Sequence, residues 1–205
     1  MERKKIVVAT KNQGKLKELI HAFADLPIEL ISLSEFGKLP DAVEDGNTFY
    51  ENALKKARFY MEKTHCACLA DDSGIEIEVL GGAPGIHSAR FAGYHADDKA
   101  NNQKMLDELK SKGVNSSKAQ YVCSLVFVDT DGTILATKGI CEGIIRNIAQ
   151  GSGGFGYDPY FYLPQFAKTM AELTIEAKNE ISHRGKAIEQ MEMELRNYYE
   201  NRNNQ

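Results

Sequence analysis

Two adjacent carboxylates, Asp71 and Asp72, follow an apolar run from Cys66 to Ala70 and precede Ser73 and Gly74. Carboxylates crowded at a buried edge repel one another, and a divalent cation relieves that repulsion. Magnesium, held through one or two carboxylates and the phosphates of a substrate, suits such a pair. Glu44 and Asp45, just before a helical stretch, could complete the set. The same residues also read as an acidic turn in water, with Gly74 taking the tight bend. A second signal is Thr10-Lys11-Asn12-Gln13-Gly14-Lys15, at a strand-to-helix turn. A helix start offers free N–H groups and partial positive charge, and with Lys15 it suits a phosphate. It is not a Walker A loop, because Ala9 stands where that pattern needs glycine and Leu16 where it needs Ser or Thr. A capped helix start with surface lysines is the plainer reading of the same residues.

The third signal is Gly151-Ser152-Gly153-Gly154-Phe155-Gly156-Tyr157-Asp158-Pro159. It matches G-x-G-x-x-G by letter, but no clear strand precedes it and Tyr157-Asp158-Pro159 does not open a helix, so dinucleotide binding is excluded. What remains is an ordinary loop, or one whose backbone approaches a ligand while Phe155 or Tyr157 offers a face to a base. The fourth is Ser182-His183-Arg184-Gly185, where Ser182 caps a last helix. His183 and Arg184 then project as donors, suited to a base carbonyl or a phosphate, unless they are merely exposed polar residues. His21, His65, His87 and His95 show no ligand spacing.

These groups need elements to position them. Ile6 to Ala9 reads as a buried strand, and Leu16, Leu19, Ile20 and Phe23 as one helical face. Ile28 to Leu33 reads as a second strand. Thr48 to Glu51 fits a capping box, followed by a stripe of Tyr50, Ala53, Leu54, Ala57 and Met61. Cys66 to Ala70 is a strand, and Ile75, Ile77 and Val79 alternate with Glu76 and Glu78 in another. Asp97 to Lys110 reads as a polar helix with few apolar contacts. Tyr121 to Val128 and Thr133 to Cys141 flank Asp129-Thr130-Asp131-Gly132, a hairpin signal. A last helix from about Ser182 to Tyr198 turns Ala187, Ile188, Met191 and Leu195 inward. Interleaved helices and strands with a hairpin predict an α/β fold on a mixed sheet.

The bulk numbers fit this. The 205 residues, 42% hydrophobic and 26% charged, suffice for one compact catalytic domain, or two lobes sharing a core, with no separable linker. A net charge of -4 excludes a protein built to coat nucleic acid. No apolar run reaches the length of a membrane span, and the start is too short for a signal peptide. The expected location is cytoplasmic. Cys66, Cys68, Cys123 and Cys141 form no C-x2-C pair and read as small buried hydrophobes.

In this order, the segments resemble the inosine triphosphate pyrophosphatase family, its bacterial branch in particular. The matching stretches include Ala9-Thr10-Lys11-Asn12 with Lys15, Thr48 to Ala53, Ala70 to Gly74, Leu80 to Ile86 and Ser88-Ala89-Arg90. They continue through Gly153 to Pro159, Ala171-Glu172-Leu173 with Lys178, and Ile181 to Gly185. Lys11 departs from the family, which often carries glycine there. The resemblance implies a two-lobed α/β fold with a central cleft, a homodimer, and magnesium-dependent hydrolysis of non-standard purine triphosphates (ITP, dITP, XTP) to monophosphate and pyrophosphate. It implies Asp72 as general base, Glu44 and Asp72 as magnesium ligands with Asp71 close by, and Thr10, Lys11, Asn12, Gln13, Gly14 and Lys15 on the triphosphate. Ser73 and Lys178 would touch substrate, Phe155, Gly156, Tyr157 and Asp158 would wrap it with Phe155 on the base, and His183 and Arg184 would read the 6-keto edge.

Overall fold

The computed structural model describes residues 3–10, 13–93 and 97–203. Its strands are β1 (Lys4–Val8), β2 (Ile28–Ser32), β3 (Ala67–Ile77), β4 (Ser116–Val128), β5 (Ile134–Arg146), β6 (Phe161–Leu163) and β7 (Lys168–Thr169). Its helices are α1 (Gln13–Ala22), α2 (Phe49–Thr64), α3 (Asp98–Ser111), α4 (Ile175–Ile181) and α5 (His183–Asn203). The strands hydrogen-bond in the order β2-β1-β3-β4-β5-β6-β7. β1 is parallel to both β2 and β3, so crossover connections are required, and α1 and α2 lie on them. β6 runs antiparallel to β5 and to β7, and the sheet is mixed as predicted.

The chain forms two compact units. One comprises Met1–Asp72, Cys123–Lys138 and Ala187–Gln205; the other comprises Ser73–Val122 and Gly139–Lys186. In the first unit, strand alternation sorts side chains between two helical layers. Ile6 and Val8, Ala67 and Leu69, and Cys123, Leu125 and Phe127 pack with Leu16, Leu19 and Phe23 of α1 and Ala187, Met191 and Leu195 of α5. The intervening residues, Val7 and Ala9, Cys68 and Ala70, and Val126 and Val128, pack instead with Ala53, Ala57 and Tyr60 of α2. Cover on both faces explains why these strands read as unbroken apolar runs. The second unit has its own core, with Ile75, Ile77, Tyr121, Ile145, Phe161 and Leu163 around Met105 and Leu109 of α3.

Several sequence expectations are corrected. Asp71-Asp72-Ser73-Gly74 is no turn: β3 runs unbroken through it from Ala67 to Ile77. Gly74 serves close approach rather than a bend, since a Cβ there would overlap Ser88 Oγ and lie 2.5 Å from the Gly85 carbonyl oxygen. The buried face of α2 is shifted by one residue, with Phe49, Ala53, Ala57, Tyr60 and Thr64 inside and Tyr50 exposed. Ile20 is likewise exposed. The Thr48 side chain caps α2 by accepting from Glu51 N, but the Glu51 carboxylate accepts from Asn47 N, one residue before the reciprocal bond of a capping box. Helix α3 is polar with few apolar contacts, as expected, and those few are deep: Met105 and Leu109 are fully buried. Each such side chain contributes about 1.5–3 kcal/mol of transfer free energy. All four cysteines are free thiols, three of them buried.

Candidate active site

The alternation that builds the first unit also aims its acids. Asp71 continues the Ala67–Leu69 side of β3, which faces α1, and it pairs with Lys15 of α1, Nζ to Oδ2 at 2.7 Å. Asp72 continues the Cys68–Ala70 side, which faces α2, and it accepts from Asn52 Nδ2 of α2 at 3.0 Å. Neighbouring carboxylates therefore find partners on opposite helical layers. Asn52 is almost wholly buried, and its Oδ1 accepts from the Gly46 backbone N–H at 2.7 Å, which fixes the amide orientation. One turn along α2, Lys56 donates to Glu44 Oε1 at 3.1 Å.

Electrostatics ties these groups together. Burial raises the Asp72 carboxyl to about 6; the Asn52 bond and Lys56 pull it down, and Glu44 and Asp71 push it up. Burial disfavours the Lys56 ammonium, yet Asp71, Glu44 and Asp72 more than offset this and hold it above its usual range. Glu44 thus belongs to the field around Asp72. Asp45, its alternative, is exposed and ion-paired with Lys55 at 2.6 Å. Among the described residues no three His, Cys, Asp or Glu side chains form a ready-made metal cage. A set of hard carboxylate oxygens matched by ammonium groups is nonetheless the donor chemistry of magnesium, which takes few protein ligands and completes its shell with water and phosphate.

The second unit holds a different cluster. Phe155 is 55% exposed, with Lys178 Nζ 4.7 Å from its ring centroid and the Arg184 guanidinium at 6.0 Å. Lys178 also pairs with the buried Asp158 carboxylate at 2.6 Å. Asp158 accepts in addition from Tyr121 OH at 3.2 Å and from Phe155 N at 3.0 Å. Glycine is required at 154, where φ is +75° and a Cβ would overlap Asp158 Oδ2. Tyr157 lies in the core, its hydroxyl donating to the Ser88 carbonyl at 2.8 Å, so it shows no face to a base. Ser182 caps α5, accepting from Gly185 N at 3.0 Å. His183 and Arg184 are buried rather than exposed at this end: His183 stacks on Tyr121 with ring centroids 4.9 Å apart, and Arg184 Nη2 donates to Ser73 Oγ at 3.4 Å.

A family model described as the Ham1 family matches residues 6–194. The chain belongs to the Ham1 family. It is 46% identical over 193 residues to a dITP/XTP pyrophosphatase of Desulforamulus reducens, covering 94% of this chain and 96% of that one. It is similar in structure to a HAM1 protein from Coxiella burnetii, with a TM-score of 0.89 at 41% identity over 94% of this chain and 98% of that one. A nucleoside-triphosphatase / dITP/XTP pyrophosphatase from Mycobacterium abscessus matches with a TM-score of 0.75 at 38% identity, covering 91% and 97% of the two chains.

In this Ham1 family member the acidic cluster gathers Lys15, Glu44, Asp71 and Asp72, and the aromatic cluster gathers Phe155, Asp158, Lys178, Arg184 and Ser73. Gly156 lies in the loop of the second cluster, and Thr10 leaves β1 with its N–H bonded to the Val8 carbonyl. Gln13 and Gly14 form the first turn of α1, while Lys11 and Asn12 lie outside the described residues. Sequence reasoning missed Asn52 and Lys56. The signal was available: both lie on α2 four residues apart, so the helical period puts them on one side, next to the alanine stripe.

Proposed function

We propose that this chain is a magnesium-dependent pyrophosphatase that converts non-standard purine nucleoside triphosphates, dITP, ITP and XTP, to the monophosphate and pyrophosphate. The names of the relatives point to this substrate class. The observation that carries the mechanism is Asp72, a carboxylate raised by burial to about 6 and oriented by Asn52. A base with that affinity for protons is ionised at neutral pH and still strong enough to accept one from water. Asp72 orients and deprotonates the water that attacks the α-phosphorus. Glu44 and Asp72 would hold magnesium, which supplies charge neutralisation on the phosphates when bound. Lys15 and the N–H groups opening α1 bind the phosphate chain, and Asp71 holds the Lys15 ammonium in place meanwhile. Lys56 keeps the mutual repulsion of Glu44, Asp71 and Asp72 tolerable.

Selection of the base belongs to the second cluster. Phe155 offers its ring for stacking, and His183 and Arg184 present donors at the start of α5. Donors aimed at a 6-keto oxygen meet the 6-amino group of adenine donor to donor, a mismatch that costs several kcal/mol, roughly 10²- to 10⁴-fold. Stacking on Tyr121 fixes the His183 ring plane, so little reorganisation can relieve that mismatch. A homodimer in the cytoplasm completes the reading; light scattering that gives the mass of a single chain would remove the dimer. The deciding assay mixes the protein with magnesium and dITP, XTP, dGTP or dATP and quantifies pyrophosphate and monophosphate. Rapid pyrophosphate release from dITP and XTP alone, abolished by chelation, is the expected result. Orthophosphate release, or equal rates on dATP, overturns the reading.

A further inference from the structure

We infer that helix α3 is a positioning platform for the base loop, with Asp98 and Asn102 clamping the backbone at Gly156 so that Phe155 is presented ready for stacking. The inference rests on the function proposed above and adds two residues to it. Asp98 Oδ2 accepts from Gly156 N at 2.7 Å, and Asn102 Nδ2 donates to the Gly156 carbonyl at 2.9 Å. The two side chains are four residues apart, one helical turn, so they reach the loop from the same face. Between them they hold both polar groups of one residue, and Asp158 holds the preceding N–H, that of Phe155. Gly156 has φ +60°, a conformation glycine adopts freely and other residues rarely do, so the clamp is built around a residue with no side chain of its own.

The platform is fixed at its other contacts. Met105 and Leu109 are buried to 0% exposure in the core of the unit. Asn101, nearly fully buried, accepts from Ala92 N at 2.9 Å and donates to the Ala89 carbonyl at 3.1 Å. Lys104 donates to the Phe91 carbonyl at 2.8 Å. A glycine-rich loop left to itself would have to be ordered whenever a base arrived, and that ordering weakens binding. Three backbone hydrogen bonds to anchored side chains remove most of that freedom in advance. Asp98 and Asn102 are positioning residues: they act on the base through Phe155 and play no part in the acidic cluster.

The test uses the full chain carrying Asp98→Ala, Asn102→Ala or Asp98→Asn. Hydrogen exchange of peptides covering residues 153–158 is followed by mass spectrometry, and steady-state hydrolysis of dITP is measured with magnesium. Both alanine variants should exchange faster in this loop, with wild-type exchange in α2 and β3. Each should raise KM for dITP about three- to tenfold, the loss of one hydrogen bond, and change kcat less than about twofold. Asp98→Asn keeps an acceptor oxygen and should behave as wild type. Asn102→Ala replaces a half-buried residue by a better helix former and leaves Met105 and Leu109 in the core, so its fold survives and the comparison stays readable. Unchanged loop exchange overturns the inference, as does faster exchange with unchanged KM, or a fall in kcat alone. If wild type releases no pyrophosphate from dITP, the proposed function fails, and loop exchange alone then decides the clamp.

Discussion

Asp72→Asn should inactivate the protein and make it more stable. The Asp72 carboxyl rises from 3.8 to about 6 on folding, chiefly because burial disfavours its charge. That difference corresponds to about 3 kcal/mol. The sign follows from linkage. Between pH 3.8 and about 6 the folded chain keeps a proton that the unfolded chain has lost, so stability falls as pH climbs through that window. Above about 6 the full penalty of a buried charge is present. An asparagine is neutral at every pH and removes it, giving a gain of up to about 3 kcal/mol at pH 7.5, or roughly 6–12 °C in Tm for a chain of this size. The assay is thermal unfolding of wild type and variant in chelator, since a bound cation would stabilise the charged form. At pH 7.5 the variant should melt higher, and by pH 4 the gap should close. Pyrophosphate release from dITP should fall by at least about 10²- to 10⁴-fold, the usual contribution of a general base. A variant no more stable than wild type at pH 7.5, or a gap that persists at pH 4, would refute the account of Asp72 as a carboxylate strained by burial.

Asn52→Ala should move the acid limb of the pH–rate profile of dITP hydrolysis above about 6, because the Asn52 bond is among the interactions that lower the Asp72 carboxyl. It should also destabilise the fold by about 1–3 kcal/mol in urea titrations, since the Gly46 N–H loses its buried acceptor. Phe155→Ala should cut kcat/KM for dITP by the value of one stacked base, about 1–3 kcal/mol, while Tm stays close to wild type because the ring is 55% exposed. Gly74→Ala should lower stability by about 1–3 kcal/mol, measured by urea unfolding, because the new methyl group meets Ser88 and the Gly85 carbonyl. Unaltered stability there would mean that the 85–88 segment yields easily.

The α/β class and mixed sheet were legible in the sequence because most strands of the first unit are apolar on both faces and so stand out as β-branched or aliphatic runs. The acidic pair in β3 was visible as chemistry but not as geometry. Asp, Ser and Gly are turn formers by local preference, and only pairing in the sheet, a tertiary effect, holds them extended. Helix α3 was legible as a polar helix with few apolar contacts, and Met105, Leu109 and the partly buried Leu106 are what the core receives from it. Asn52, Lys56, Asp98 and Asn102 carry no motif. Four-residue spacing puts each pair on one side of its helix, but what that side meets is set only once α2 lies beside the acids and α3 beside the loop. The short β6 and β7 and the helix α4 fall below the length at which a pattern can be told from chance.

The parity of β3 has a consequence for how such a chain can change over generations. Which of the two aspartates meets Lys15 and which meets Asn52 depends only on whether an even or an odd number of residues separates each from the strand's first pairing with β1. Loss of one codon in that stretch would turn both carboxylates to the opposite helical layer, with Asp72 in the place of Asp71 opposite Lys15, while leaving every side chain chemically intact. Substitutions near the pair can be tested by selection one at a time, but the length of this segment is locked. Surface loops in general tolerate changes of length, whereas here the register of the site is counted in single residues.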